Sequence, residues 1–121
     1  MMSYDPSNIF ARILRGELPC KKIAEDQHTL AFEDINPQAP VHILVIPKGS
    51  YVDWSDFTRN ASDVEQSAFV KMIGHVASLA GITDSGYRVI CNSGSDGHQE
   101  VPHLHMHVLG GAAIGPMVSR S

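Results

Sequence analysis

His103-Leu104-His105-Met106-His107-Val108 alternates imidazole with aliphatic side chains at every step, and Leu109 follows. Successive side chains of an extended chain point to opposite faces. His103, His105 and His107 therefore share one face of a strand spanning 103–109, and Leu104, Met106 and Val108 bury the other. Working outward, Val41-His42-Ile43-Leu44-Val45-Ile46 is apolar except for His42 and reads as a central strand covered on both faces, closed by Pro47. Tyr87 to Asn92 reads as a further strand, joined to the histidine strand by a glycine-containing loop from Ser93 to Pro102. Lys22 to Glu25 and His28 to Asp34 read as two short strands around Asp26-Gln27.

Two helices complete the pattern. Asp5-Pro6 offers an N-cap followed by proline at the first helical position, and Ile9, Phe10, Ile13 and Leu14 recur at helical spacing until Gly16 and Pro19. Ser62-Asp63-Val64-Glu65 is a capping-box pattern. Behind it Val64, Ala68, Met72, Val76 and Leu79 take one face, Ser67, Lys71 and Ser78 the other, and Gly81 stops the helix. Lys48 to Asn60 reads as a polar connection with Tyr51, Trp54 and Phe57 folded back onto the body, and Gly110 to Ser121 as a weakly patterned tail. The expected fold is α+β: a five-stranded antiparallel sheet with two helices, in a single domain spanning 1–121. A sheet this small leaves edges to cover, and pairing with a second copy would cover one.

Bulk properties narrow the function. A formal charge of −4 and a pI near 5.9 argue against wrapping a nucleic-acid polymer, but not against a small phosphorylated ligand. Cys20 and Cys91 stand in no metal-like spacing and read as reduced thiols, so a cytoplasmic setting is expected. Met1 to Phe10 has neither a basic nor an apolar leader segment, and the longest apolar run, Ile43 to Ile46, is far too short to span a membrane.

The three imidazoles admit three readings. As a merely wet face they are an odd choice, since histidine has no special preference for such positions. As a zinc site, the outer pair would have Cβ atoms about 13 Å apart along an extended strand, beyond the roughly 11 Å that two imidazole arms and two zinc bonds can bridge. One ion could take two of the three with His42 or another group, so zinc is a rival rather than a requirement. The third reading is chemistry on phosphorus. A neutral imidazole is abundant at pH 7 and is a competent nucleophile. Its neighbours can carry protons and cancel charge building on phosphoryl oxygens. No cofactor is then needed. The adjoining loop, Asn92-Ser93-Gly94-Ser95-Asp96-Gly97-His98-Gln99-Glu100, brings glycines, amides and hydroxyls next to the histidines, as a phosphate cradle would.

The run from Asn92 through Gln99-Glu100-Val101-Pro102 to His103-Leu104-His105-Met106-His107-Val108-Leu109-Gly110-Gly111 resembles the histidine-triad signature. Asp5 to Pro19, Leu30 to Pro40 and Val41 to Pro47 are similar, in order, to the corresponding parts of the Hint branch of that family, and Ile114-Gly115-Pro116-Met117 to its bacterial members. The resemblance implies a homodimer in which two sheets join. It also implies hydrolysis of purine nucleoside phosphoramidates and aminoacyl-adenylate-like substrates to a nucleoside monophosphate. By position, His105 matches the nucleophile, and His103, His107 and His42 the supporting histidines. Asp34 matches the carboxylate that holds ribose hydroxyls; Ile9, Phe10, Leu18, Phe32 and Ile35 match the purine pocket. Asn92, Gln99 and Glu100 match the phosphate-side loop, to which His98 also belongs. The chain departs from the pattern at His98, where glycine is common, at Glu100, where some members have serine, at Pro102, where an aromatic is usual, and in its short tail. Two alternatives stay open: a purine-nucleotide-binding or scaffold protein with vestigial activity, and a dinucleoside polyphosphate hydrolase.

Overall fold

A computed structural model of the chain describes residues 3–118. Helix α1 (Ile9–Leu14) is followed by strands β1 (Lys22–Glu25), β2 (Thr29–Glu33) and β3 (Val41–Pro47). Helices α2 (Trp54–Asn60) and α3 (Asp63–Leu79) then precede β4 (Tyr87–Cys91) and β5 (Met106–Gly110). All pairings are antiparallel, in the order β1-β2-β3-β5-β4. The α+β class and the five-stranded antiparallel sheet are as expected; among the described residues the helices number three rather than two. The expectations for Met1, Met2 and the last three residues lie outside the described residues. Among those described, no helix is long and apolar enough to cross a membrane.

The sheet divides the interior by parity. Ala31, Ile43, Val45, Met106 and Val108 point to one face and pack with Leu104, Phe57 and the α3 residues Phe69, Met72, Val76 and Ala77. Leu30, Phe32, Leu44 and Ile46 point to the other, beneath Phe10 of α1. β3 is central and buried along nearly its whole length. The register places His42 opposite Leu109 and Leu44 opposite His107, so His42 and His107 lie diagonally across the β3–β5 ladder on the α1 side.

Several boundaries differ from the sequence reading, each for a local reason. α1 begins after Asn8, whose Oδ1 accepts from the Ala11 N–H at 2.9 Å; Asp5 instead closes a turn by accepting from the backbone and hydroxyl of Ser7. α3 starts as expected, with both halves of the Ser62–Glu65 capping box formed. Its buried stripe is Phe69, Met72 and Val76, whereas Val64 and Leu79 are more than half exposed. α2 fills what reads in sequence as a polar connection. Asp53 caps it by accepting from Asp56 N–H at 2.8 Å, and the Asp56 carboxylate accepts from Val52 N–H at 2.8 Å. This short helix buries Phe57 against Tyr51, Trp54 and Phe69. Replacing Asp53 by alanine should cost about 1 kcal/mol of unfolding free energy, the usual worth of an N-cap. Urea titration with an unchanged slope would register it; a cost near zero would mean that α2 is held by Phe57 alone.

The hydrogen-bonded strand β5 starts at Met106, not His103. The 101–105 segment leaves both ladders, and Leu104 N–H donates instead to the Tyr51 carbonyl at 2.8 Å. Side-chain parity survives the break, because Leu104 still joins the α3-side core.

Candidate active site

The α1 side of the sheet holds a cavity of about 800 Å³. Its apolar wall comes from Ile9, Phe10, Ile13, Leu18, Phe32 and Leu44. Asp34 and His42 line it from the end of β2 and from β3, and His105 and His107 from the β5 side. Asn92, His98, Glu100 and Val101 close the loop side, with Ile35, Asn36 and Gln38 at the lip. Of the residues singled out in sequence, all but two line this space.

The two exceptions are His103 and Gln99. His103 is fully buried behind Phe10, its ring 6.3 Å from that of Phe10. Gln99 braces the loop: its Nε2 donates to the carbonyls of Val52 and Val101, at 2.7 and 3.0 Å, and its Oε1 accepts from Gly94 N–H. Asn92 Nδ2 ties the same loop to the Gly97 carbonyl at 2.7 Å. A Cβ at Gly97 would collide with the Ser93 carbonyl, so the loop's tightness requires glycine there. His98 adopts φ +61°, keeping the left-handed backbone that glycine would take freely. Its side chain is exposed and meets Glu100 Oε1 at 3.1 Å. Glu100 thus turns a carboxylate oxygen towards His98 at the mouth, while its charge still reaches His105 and His107.

The hydrogen bonds settle the tautomer of every histidine in the cluster. A backbone N–H can only donate and a carbonyl can only accept. Gln38 N–H donates to His42 Nδ1 at 3.0 Å, so the His42 proton sits on Nε2. His42 Nε2–H lies 2.9 Å from His107 Nδ1 and donates to it, which leaves His107 with its proton on Nε2. Asp34 Oδ2 is 3.4 Å from the same His42 nitrogen. His105 Nδ1–H donates to the His103 carbonyl at 2.8 Å, so its lone pair is on Nε2, which has no protein partner among the described residues. His103 donates from Nε2 to the Pro47 carbonyl at 2.8 Å and accepts the Tyr4 hydroxyl at Nδ1 at 2.7 Å.

Asp34, His42 and His107 each bring a metal-ligating atom within 4.8 Å of the others, and this trio was not grouped from sequence. As wired, it suits hydrogen bonding better than a cation. Neutral His42 could ligate through Nε2 only with its proton moved to Nδ1, where Gln38 N–H already points.

Burial dominates the electrostatics. It pulls His103 and His107 down to about 4, the charges of neighbouring imidazoles adding to the effect; it also lowers His42 and His105, against the opposing pull of Asp34 on both and of the His103 carbonyl on His105. The cluster is neutral at pH 7. With both His103 nitrogens bonded to protein and the His42 Nε2–H given to His107, the N–H left facing the cavity is that of His107 Nε2. An unfolded histidine takes up a proton below about pH 6.5, whereas folded His103 and His107 resist until about 4. The unfolded state then binds more protons between these values. The contribution of these two rings should be flat above pH 6.5 and fall on acidification by about 1.4 kcal/mol per pH unit for each such imidazole. Glu25, held near 2 by Lys48 and Lys22, adds a loss only at lower pH. Urea unfolding at stepped pH checks this, and stability unchanged from pH 7 to 5 would contradict neutral burial.

Residues 15–114 match the HIT domain family profile. The chain is 57% identical over 118 residues to an uncharacterized 13.2 kDa HIT-like protein of Azospirillum brasilense, covering 98% of this chain and 97% of that one. It is 42% identical over 114 residues to a purine nucleoside phosphoramidase of Escherichia coli K12, covering 92% of each. Among solved structures, a histidine triad protein from Clostridium difficile superposes with a TM-score of 0.80 at 43% identity, over 91% of this chain and 95% of that chain. A HIT family hydrolase from Legionella pneumophila does so at 0.82 and 37%, over 88% and 95%.

Proposed function

The chain belongs to the HIT family, and on that premise we propose that it is a hydrolase that cleaves the P–N bond of purine nucleoside 5′-phosphoramidates and related aminoacyl-adenylate-like substrates. The observation that carries this reading is the His105 tautomer: Nδ1–H is committed to the His103 carbonyl, so the Nε2 lone pair is left for the cavity. An imidazole in that state attacks without first losing a proton.

In this reading the purine lies among Phe32, Ile9, Leu18 and Phe10, and its ribose hydroxyls meet the Asp34 carboxylate. His105 Nε2 attacks phosphorus and the P–N bond breaks. The nitrogen leaves as an amine, picking up one proton, and the nucleotide stays on His105. His107 Nε2–H, set by His42 and through it by the Gln38 backbone, is the donor available to a phosphoryl oxygen as charge builds. Water then attacks phosphorus and the P–Nε2 bond breaks, which returns the lone pair to His105 Nε2, sends one proton to solvent and releases the nucleoside monophosphate. His103 meets His105 through its backbone carbonyl, while its own ring is bonded to Tyr4 and Pro47. No metal or other cofactor takes part. The protein works as a homodimer, a reading supported by β4: it is an edge strand and carries the partly exposed Tyr87 and Val89.

Steady-state hydrolysis of adenosine 5′-phosphoramidate is the deciding assay. His105→Ala should lower turnover by at least 10³-fold, the scale of losing a covalent nucleophile, while the folded variant still binds adenosine monophosphate by calorimetry. Chelator should leave the wild-type rate unchanged. Wild-type binding without turnover would instead favour a nucleotide-binding protein, and preferential cleavage of a diadenosine polyphosphate would move the substrate class.

A further inference from the structure

We propose that Tyr4 is a positioning residue for the nucleophile, acting through the His103 ring and backbone; the proposal rests on the reading of His105 as nucleophile. Tyr4 lies outside the histidine cluster in sequence, yet its hydroxyl is 2.7 Å from His103 Nδ1 and its ring stands edge-on to the imidazole, centroids 5.6 Å apart at 66°. His103 is wholly buried, and each of its ring nitrogens has one partner, the Tyr4 hydroxyl and the Pro47 carbonyl. Pro47 lacks an N–H to offer and its carbonyl can only accept, so His103 must carry its proton on Nε2. Nδ1 then needs a donor, and Tyr4 is that donor.

The consequence reaches His105. The 101–105 segment is outside the β5 ladders, so sheet hydrogen bonds do not hold the His103 carbonyl in place. What holds this peptide is the His103 side chain, clamped from two sides, together with Leu104 N–H on Tyr51. That carbonyl in turn selects the Nδ1–H tautomer of His105. Removing the Tyr4 hydroxyl leaves a buried acceptor without a donor. The ring can relieve this only by turning or by exchanging its proton, and exchange loses the Pro47 bond. Either shift loosens the carbonyl from His105 and populates the His105 form protonated at Nε2, which has no lone pair for phosphorus.

Tyr4→Phe keeps the ring packing and deletes only the donor. Turnover of adenosine 5′-phosphoramidate should fall about 10- to 100-fold in kcat, the range typical of lost orienting partners. KM should stay within about twofold, because the purine and ribose contacts are elsewhere. In ¹⁵N-labelled protein at pH 7, the His105 imidazole should move from a pure Nδ1–H pattern to a mixture, with the folded spectrum otherwise retained. An unchanged kcat, or a fall in kcat with the His105 pattern unmoved, would overturn the proposal. If the wild type proves not to hydrolyse phosphoramidates, the functional reading fails on its own, and the His105 ¹⁵N pattern of wild type against Tyr4→Phe still decides whether Tyr4 sets that tautomer.

Discussion

Four imidazoles can be packed into one small interior only if each stays neutral and each ring nitrogen facing protein finds a partner of the right sense. An imidazolium there would carry the full desolvation cost of a buried charge, and an unmatched ring nitrogen the cost of a lost hydrogen bond. Here the matching groups are mostly backbone: Gln38 N–H for His42, the His103 carbonyl for His105 and the Pro47 carbonyl for His103. Backbone groups cannot reverse their sense, so the proton positions follow from the path of the chain. The remaining partners, His107 and Tyr4, take the role left to them.

The sheet supplies the rest by parity and register. β3 is apolar on both faces, which fixes it at the centre, and the odd and even positions of β2, β3 and β5 separate the α3 core from the α1 side. Because His42 and His107 lie on one diagonal of the β3–β5 ladder, a slip of one residue would send one of them into the α3 core. The apolar positions that enforce this register, among them Ile43, Val45, Met106 and Val108, therefore hold the hydrogen bond between His42 and His107 in place from the opposite face of the sheet.

Features carried by periodicity were legible in the sequence: the strands, the α3 capping box, the shared side of the histidines and the apolar Leu104-Met106-Val108 back. What periodicity does not encode was not. α2 is too short for a helical repeat to show, and its signal was only the Asp53–Asp56 pair. Val64 and Leu79 fit the α3 stripe by spacing, but tertiary packing buries Phe69 in its place. The resemblance counts His103 among the supporting histidines and Gln99 in the phosphate-side loop, but only the structure shows their partners, the Tyr4 hydroxyl and Pro47 carbonyl for His103 and the loop backbone for Gln99. Tyr4 could not be read at all, since its contact to His103 spans 99 positions and no local pattern marks it.

The early end of β5 ties these observations together. Alternation alone would carry the strand back through His103, as the sequence suggests. In a continued strand the His103 carbonyl would be a ladder group, already paired with a neighbouring N–H. By leaving the ladders before Met106, the chain frees that carbonyl to accept from its own residue two positions on, and the His105 ring folds back to meet it. Irregular backbone inside a protein must still satisfy its polar groups. The site meets that demand with the Nδ1–H of His105, so the break in regular structure and the orientation of that ring are one arrangement.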